Sequence, residues 1–411
     1  MNRRAVFALA SLVATAGLFA AFADDADSQA AAKAEVERGG VGARVFVVER
    51  ETSSLAVYDF HQRELLPGRI GKLGNLRHAT MVFTPDLRHG FLATRSGKIS
   101  RIDLQTHEKT SEVYGSKNSI DNAISQDGRF LAVGEYDPGG LTVLDSRTLK
   151  IIHRLPGTFE AEGKQLLSRV TGVVDAPGNR FVCVLMEGAE IWIVKPSAEG
   201  VEIEAKIKTP HPKPYDAMIT PDGRYYLVGH LGSEHVSMID LRDLKAGVKS
   251  VSLRDPSQVY DEKTPVKLPH MASWAVAGQQ VFVPLVGQSR LAVLEAGTFA
   301  FKRSIPLRGH PVYAVCSPTG AEVWVSFSGE KDDAFVQVID TETCQVKRSL
   351  EVGKRIYHMD FTPRGSHVLI TANQANQLVL VNANTYQIED RQDLRSPSGV
   401  FGVWRAFKIG L

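Results

Sequence analysis

Cysteine is scarce in this sequence. Cys183, Cys316 and Cys344 are the only three among 411 residues, and they lie far apart. None stands in a CxxC or CxxCH arrangement, which excludes covalent c-type haem attachment and a thiolate zinc site at the usual spacings. The odd count permits at most one intramolecular disulfide. Cys183, inside the run FVCVL, reads as a small buried apolar residue. Net charge is sparse too: 48 Lys plus Arg against 46 Asp plus Glu leave +2. No basic tract stands out, so nucleic acid is not an expected partner. Also missing are a GxGxxG between strand and helix, a Walker loop and a nucleophile elbow, which leaves nucleotide binding without a motif.

Long apolar runs are absent except at the start. Arg3 and Arg4 precede the apolar stretch Ala5 to Ala20, then Ala21-Phe22-Ala23 and the acidic Asp24 and Asp25. This is the pattern of a cleaved signal peptide over residues 1–23. The stretch is short and only moderately apolar for a membrane anchor. The paired arginines leave a twin-arginine route open. After Ala23 no second run reaches spanning length, so the mature protein is expected to have no membrane span and to be exported. Residues 24–43 are rich in Ala, Glu and Gly, lack strand pattern, and read as a flexible leader.

From Arg44 onward the chain is strand and turn. One unit recurs: a Pro/Gly turn, an apolar strand, a second turn, and a strand ending in Asp. It starts near Phe83, Ser125, Asp175, Thr220, Ala275, Ser317 and Thr362. Steps of roughly 40 to 55 residues suit four-stranded propeller blades. Seven units plus the piece from Arg44 to Phe60 predict an all-β, eight-bladed β-propeller over 44–411. The closing Asp residues (Asp103, Asp145, Asp240, Asp340) suit capping of the next turn's N–H groups. The tail from Pro397 to Trp404 reads as a last strand that joins the first blade and closes the ring.

Fold does not supply function. Most of the twelve histidines, among them His107, His153 and His367, need no ligand. Three places differ because they precede a blade's first hairpin, at the expected channel mouth: His78 in LRHAT, His211 to Tyr215 in HPKPYD, and His270 in LPHM. His310 and His358 share that phase less cleanly. Any one of these residues could simply bond turn backbone; the recurrence points to a binding site. Separated histidines suit axial ligation of a planar metal macrocycle better than a closed four-ligand zinc site. Arg77, Arg95 (placed on the second strand of its blade) and Arg169 lie nearby, and Arg pairs carboxylates bidentately.

At the level of longer segments the chain resembles the NirF family, periplasmic haem d1 biosynthesis proteins of denitrifying bacteria. That family is related to the haem d1 propeller of cytochrome nitrite reductase and to the haem d1 dehydrogenase NirN. The segments that carry the resemblance are RHATMVF, KNSIDNAISQDGRFLAVGEYDPGG, SRVTGVVDAPGNRFV, KPYDAMITPDGRYYLVG, KLPHMASWAVAG and SPSGVFGVWRA. They span the whole propeller.

The resemblance implies a role for each candidate. His78 matches the axial iron ligand of the reductase propeller. Arg95 matches a propionate-binding arginine, and Arg169 another arginine near the macrocycle. Tyr215 stands where the reductase has one distal histidine, and His270 matches the second. Asn118 replaces a reductase arginine. With no CxxCH domain and one distal histidine replaced by tyrosine, the family pattern argues for handling the macrocycle itself rather than reducing nitrite. The implied function is binding of haem d1 or an iron-containing haem d1 precursor in the periplasm, with a late side-chain modification at His78, Tyr215 and His270. A non-catalytic carrier handing the macrocycle to nitrite reductase or NirN fits equally. A generic exported YVTN-type binding propeller leaves the recurring phase unexplained, and a lactonase-like hydrolase lacks a matching acid or metal cluster.

Overall fold

The computed structural model describes residues 40–257 and 275–410. Within them the chain forms eight four-stranded antiparallel sheets and one extra two-stranded hairpin. Each sheet is a blade. Seven blades run in chain order from the innermost strand outward. The first strands are Thr80–Phe83, Asn118–Ile124, Val170–Ala176, Pro214–Ile219, Ala275–Ala277, His310–Cys316 and Ile356–Phe361. The eighth blade combines both ends of the chain. Pro397–Gly402 is its inner strand and pairs antiparallel with Arg44–Glu49, with Phe46 opposite Phe401. The ring therefore closes through the tail, as the sequence predicts.

Strand patterning follows position in the blade. The middle strands are packed on both faces by neighbouring blades, so they are apolar without alternation; Phe181 to Leu185, on the second strand of a blade, are all buried. Outermost strands have one wet face and alternate, as Val201–Lys208 does. The core accordingly lies between blades. Val182, Val184, Ile191 and Ile193 of one blade meet Ala217, Ile219, Tyr226 and Val228 of the next.

Two features of the repeat have a physical cause. The Asp that ends the third strand caps the next turn: Asp103 Oδ1 accepts from Gln105 N at 2.9 Å and Thr106 N at 2.8 Å, and Asp340 Oδ1 from Thr343 N at 2.8 Å. The Pro/Gly turn of one blade also stacks on that of its neighbour. Gly128 sits at φ +72°, and a Cβ there would lie 2.8 Å from Pro85 Cδ; Gly223 has the same relation to Pro177 at 2.6 Å. Glycine is required both for the left-handed turn and for the close approach.

Two features were not expected. The hairpin of Thr158–Ala161 and Lys164–Leu167 interrupts the repeat between blades. After Gly402, a 3-10 turn over Val403–Phe407 leads the tail across the far end of the channel. There Ile409 joins the core between the blades of Val174 and Ala217, and Gly410 N donates to Asp175 Oδ1 at 2.7 Å. Cys183, Cys316 and Cys344 are all free thiols, and burial pushes Cys183 up to about 12. Among the described residues no helix is long and apolar enough to cross a membrane.

Candidate functional site

Antiparallel pairing decides which residues share a face. The start of each first strand and the end of each second strand meet on the same side of the ring. On that side opens a central cavity of about 540 Å³, lined at its mouth by Arg50, His78, Glu330, Lys354, Tyr357 and Gln374. Its inner wall carries Asp121, Asn122, Asp216, Tyr313 and His358, and the crossing tail contributes Arg405.

His78 lies in the turn before Thr80–Phe83 and lines this mouth, as expected. Its backbone is left-handed, at φ +56°, a conformation His tolerates better than most side chains do. Arg50, at the end of the strand Arg44–Glu49, shares the cavity. Its guanidinium carbon lies 4.0 Å from the centroid of the Tyr357 ring. Its Nε and Nη2 are buried and have no hydrogen-bond partner among the described residues.

The other candidates gather beside the mouth, around a residue that the motifs contain but do not mark out. Tyr136 ends the second strand of its blade. The guanidinium carbons of Arg95 and Arg169 lie 4.5 Å and 4.9 Å from its ring centroid. Arg169 Nη1 also donates to the Tyr136 hydroxyl at 3.2 Å. Arg95 is not on a strand: it falls in the turn after His89–Ala93, because the Gly97 turn starts at Thr94, whose carbonyl accepts from Gly97 N at 2.9 Å. Tyr215 is buried among Ile120, Met186 and Tyr136, behind the wall that Asp216 and Ala217 present to the cavity. Burial, the Asp216 charge and a hydrogen bond with Tyr136 hold its phenol well above the ordinary value, so it keeps its proton at neutral pH. Asn118 opens its strand with Oδ1 buried and unpartnered among the described residues.

The remaining histidines divide. His211 turns away from the axis, with Nε2 2.7 Å from Ser250 Oγ on an outermost strand. His310 Nδ1 donates to the Val286 carbonyl at 2.8 Å, an ordinary turn contact. His358 faces the channel, with Nε2 2.9 Å from the Tyr313 hydroxyl, and burial pushes it down to about 3. His270 lies outside the described residues. Among the described residues no group of three His, Cys, Asp or Glu side chains could hold a metal ion.

Residues 42–406 match the cytochrome D1 heme domain model. The chain is 36% identical to Protein NirF of Stutzerimonas stutzeri over 373 residues, covering 90% of this chain and 94% of that protein. It is 37% identical to Protein NirF of Pseudomonas aeruginosa, with the same coverage. The chain belongs to the NirF family. NirF membership places it in haem d1 biosynthesis and nitrite reductase maturation. A solved structure described as dihydro-heme d1 dehydrogenase NirN in complex with DHE superposes with a TM-score of 0.77 at 24% identity, covering 90% of this chain and 77% of that one. That likeness confirms the fold of this NirF-family chain.

Sequence comparison by phase missed Arg50, Tyr136, Glu187 and Tyr357. Arg50, Tyr136 and Glu187 lie at or just past the ends of second strands, the same position as Arg95. That second phase was the signal.

Proposed function

We propose that this protein works in the periplasm, where it binds an iron-containing haem d1 precursor across the channel mouth and takes part in a late change to its side chains. Arg50 carries this reading. A half-buried guanidinium with two buried nitrogens that lack hydrogen-bond partners among the described residues is costly, and a ligand carboxylate completes it bidentately. Tetrapyrroles carry several carboxylates. His78, in the same cavity, supplies an imidazole of the kind that ligates macrocycle iron axially. Tyr357 offers an aromatic face beside Arg50.

The other residues have roles around that core. Arg95 pairs a second acid group. Asn118 Oδ1 accepts a hydrogen bond from the ligand. Tyr215, held protonated, donates through Tyr136, and His270 shares proton handling on the distal side. The product would pass to nitrite reductase or to NirN.

Absorption titration with haem d1 tests the reading. Wild type should shift the spectrum, and His78→Asn, which tolerates the left-handed backbone, should lose the shift. No shift in wild type, or the same shift in His78→Asn, removes the assignment. Product analysis after incubation with the precursor separates the two roles: an unchanged macrocycle means a carrier.

A further inference from the structure

Arg169 differs from Arg50 in one respect: its guanidinium is already occupied. Glu187, in the turn after Arg180–Leu185, reaches back to the start of its own blade. Its Oε1 accepts from Arg169 Nε at 2.6 Å and is also paired with Nη2. Its Oε2 accepts from Arg169 N at 2.8 Å and from Ser168 Oγ at 3.1 Å. The third guanidinium nitrogen, Nη1, is spent on Tyr136. Partial burial alone would raise the Glu187 carboxyl, but the Arg169 hydrogen bonds outweigh it and hold it below the ordinary value.

The pair sits at the rim, with side chains 37% and 33% exposed, so water reaches both partners. The turn itself is braced: a Cβ on Gly188 would lie 3.1 Å from Phe159 Cβ of the extra hairpin. The side chain of Glu187 can therefore rotate away while its backbone stays.

We infer that Glu187 is a resident carboxylate that an acid side chain of the bound macrocycle displaces from the Arg169 fork, so that the rim tests for an acid group at that edge. This inference rests on the macrocycle reading above. An incoming carboxylate takes over Nε and Nη2 and can do so with both oxygens. Water replaces Oε2 at Arg169 N and Ser168 Oγ, and the released Glu187 is left in water, where its charge is cheap. A macrocycle without an acid group there leaves Glu187 in place and gains nothing from Arg169.

The test is absorption titration of the full-length protein with haem d1 and with its methyl-esterified form. Glu187→Gln should bind haem d1 about two- to fivefold tighter, the range set by the weakness of an exposed ion pair. The gain should vanish with the ester, and also when Glu187→Gln is added to Arg169→Gln. Glu187→Asp, which keeps the charge but shortens the reach, should gain less than Glu187→Gln, and circular dichroism should match wild type throughout. Unchanged or weaker binding by a folded Glu187→Gln protein overturns the inference and leaves the macrocycle reading standing. No binding by wild type overturns both.

Discussion

The guanidinium of Arg50 and the ring of Tyr357 lie 4.0 Å apart, yet they belong to blades that become neighbours only when the tail strand closes the ring. The contact fixes Arg50 at the mouth with Nε and Nη2 bare of hydrogen-bond partners among the described residues. Arg50→Gln should weaken haem d1 binding by about 10- to 100-fold, the worth of a charge-assisted pair of about 1.5–3 kcal/mol. The same change should alter the stability of the unliganded fold little, because Arg50 is half-buried and its Nε and Nη2 have no hydrogen-bond partner among the described residues. Titration and urea melts on the same samples check both halves. A loss of stability matching the loss of binding would mean that Arg50 is structural.

Tyr215 separates positioning from packing. Tyr215→Phe keeps the contacts with Ile120 and Met186 and removes only the hydroxyl. Stability should fall by about 1 kcal/mol or less, while conversion of the precursor, followed by product analysis, should drop far more than binding does. Equal effects on binding and conversion would remove the proton-handling role.

Buried histidines predict acid sensitivity. His230 Nδ1 donates to the Pro212 carbonyl at 2.9 Å, leaving Nε2 to accept from Ser237. Burial pushes it from 6.5 to about 4. Between those values the unfolded chain binds more protons than the folded one, so stability is complete above 6.5 and is lost as the pH falls towards 4. The loss from this group is up to about 3 kcal/mol. His107, also pushed down to about 4 by burial, adds to the slope. Urea midpoints across this range should decline steadily, and His230→Gln should flatten the decline.

Ring closure should dominate stability. Phe401, on the closing strand, lies opposite Phe46 in the same core cluster and packs against the His358 ring, with centroids 5.5 Å apart. Phe401→Ala should cost about 3–5 kcal/mol, measured by denaturant melts. Ending the chain before Pro397 removes the inner strand of that blade and should abolish the cooperative transition. A truncated protein that melts like wild type would show that the closing strand is dispensable.

The repeat was legible because each blade solves the same local problem with the same residues. Asp caps a turn, glycine adopts a left-handed bend, and the middle strands stay apolar between neighbours. These constraints act over a few residues, and the sequence displays them. The hairpin from Thr158 to Leu167 was missed because Glu162-Gly163 resembles any blade turn, and only the pairing of Thr158 with Leu167 separates it from the blades.

The site was half legible. His78 lines the mouth as its phase implied. His211 has the same phase and turns outward, because position before a strand sets where the backbone enters, not where the side chain points. Arg50 and Arg169 are both arginines at one rim, and nothing in their local sequence shows that one is bare and the other held by Glu187.

The sequence by itself determined the propeller, the blade number and the strand that closes it, since those follow from turns and patterning repeated along the chain. Only the tertiary structure decided which charges at the mouth are left for a ligand. Pairings such as Arg50 with Tyr357 or Tyr136 with Arg95 and Arg169 exist between blades, and they depend on how the closed ring brings distant strand ends together.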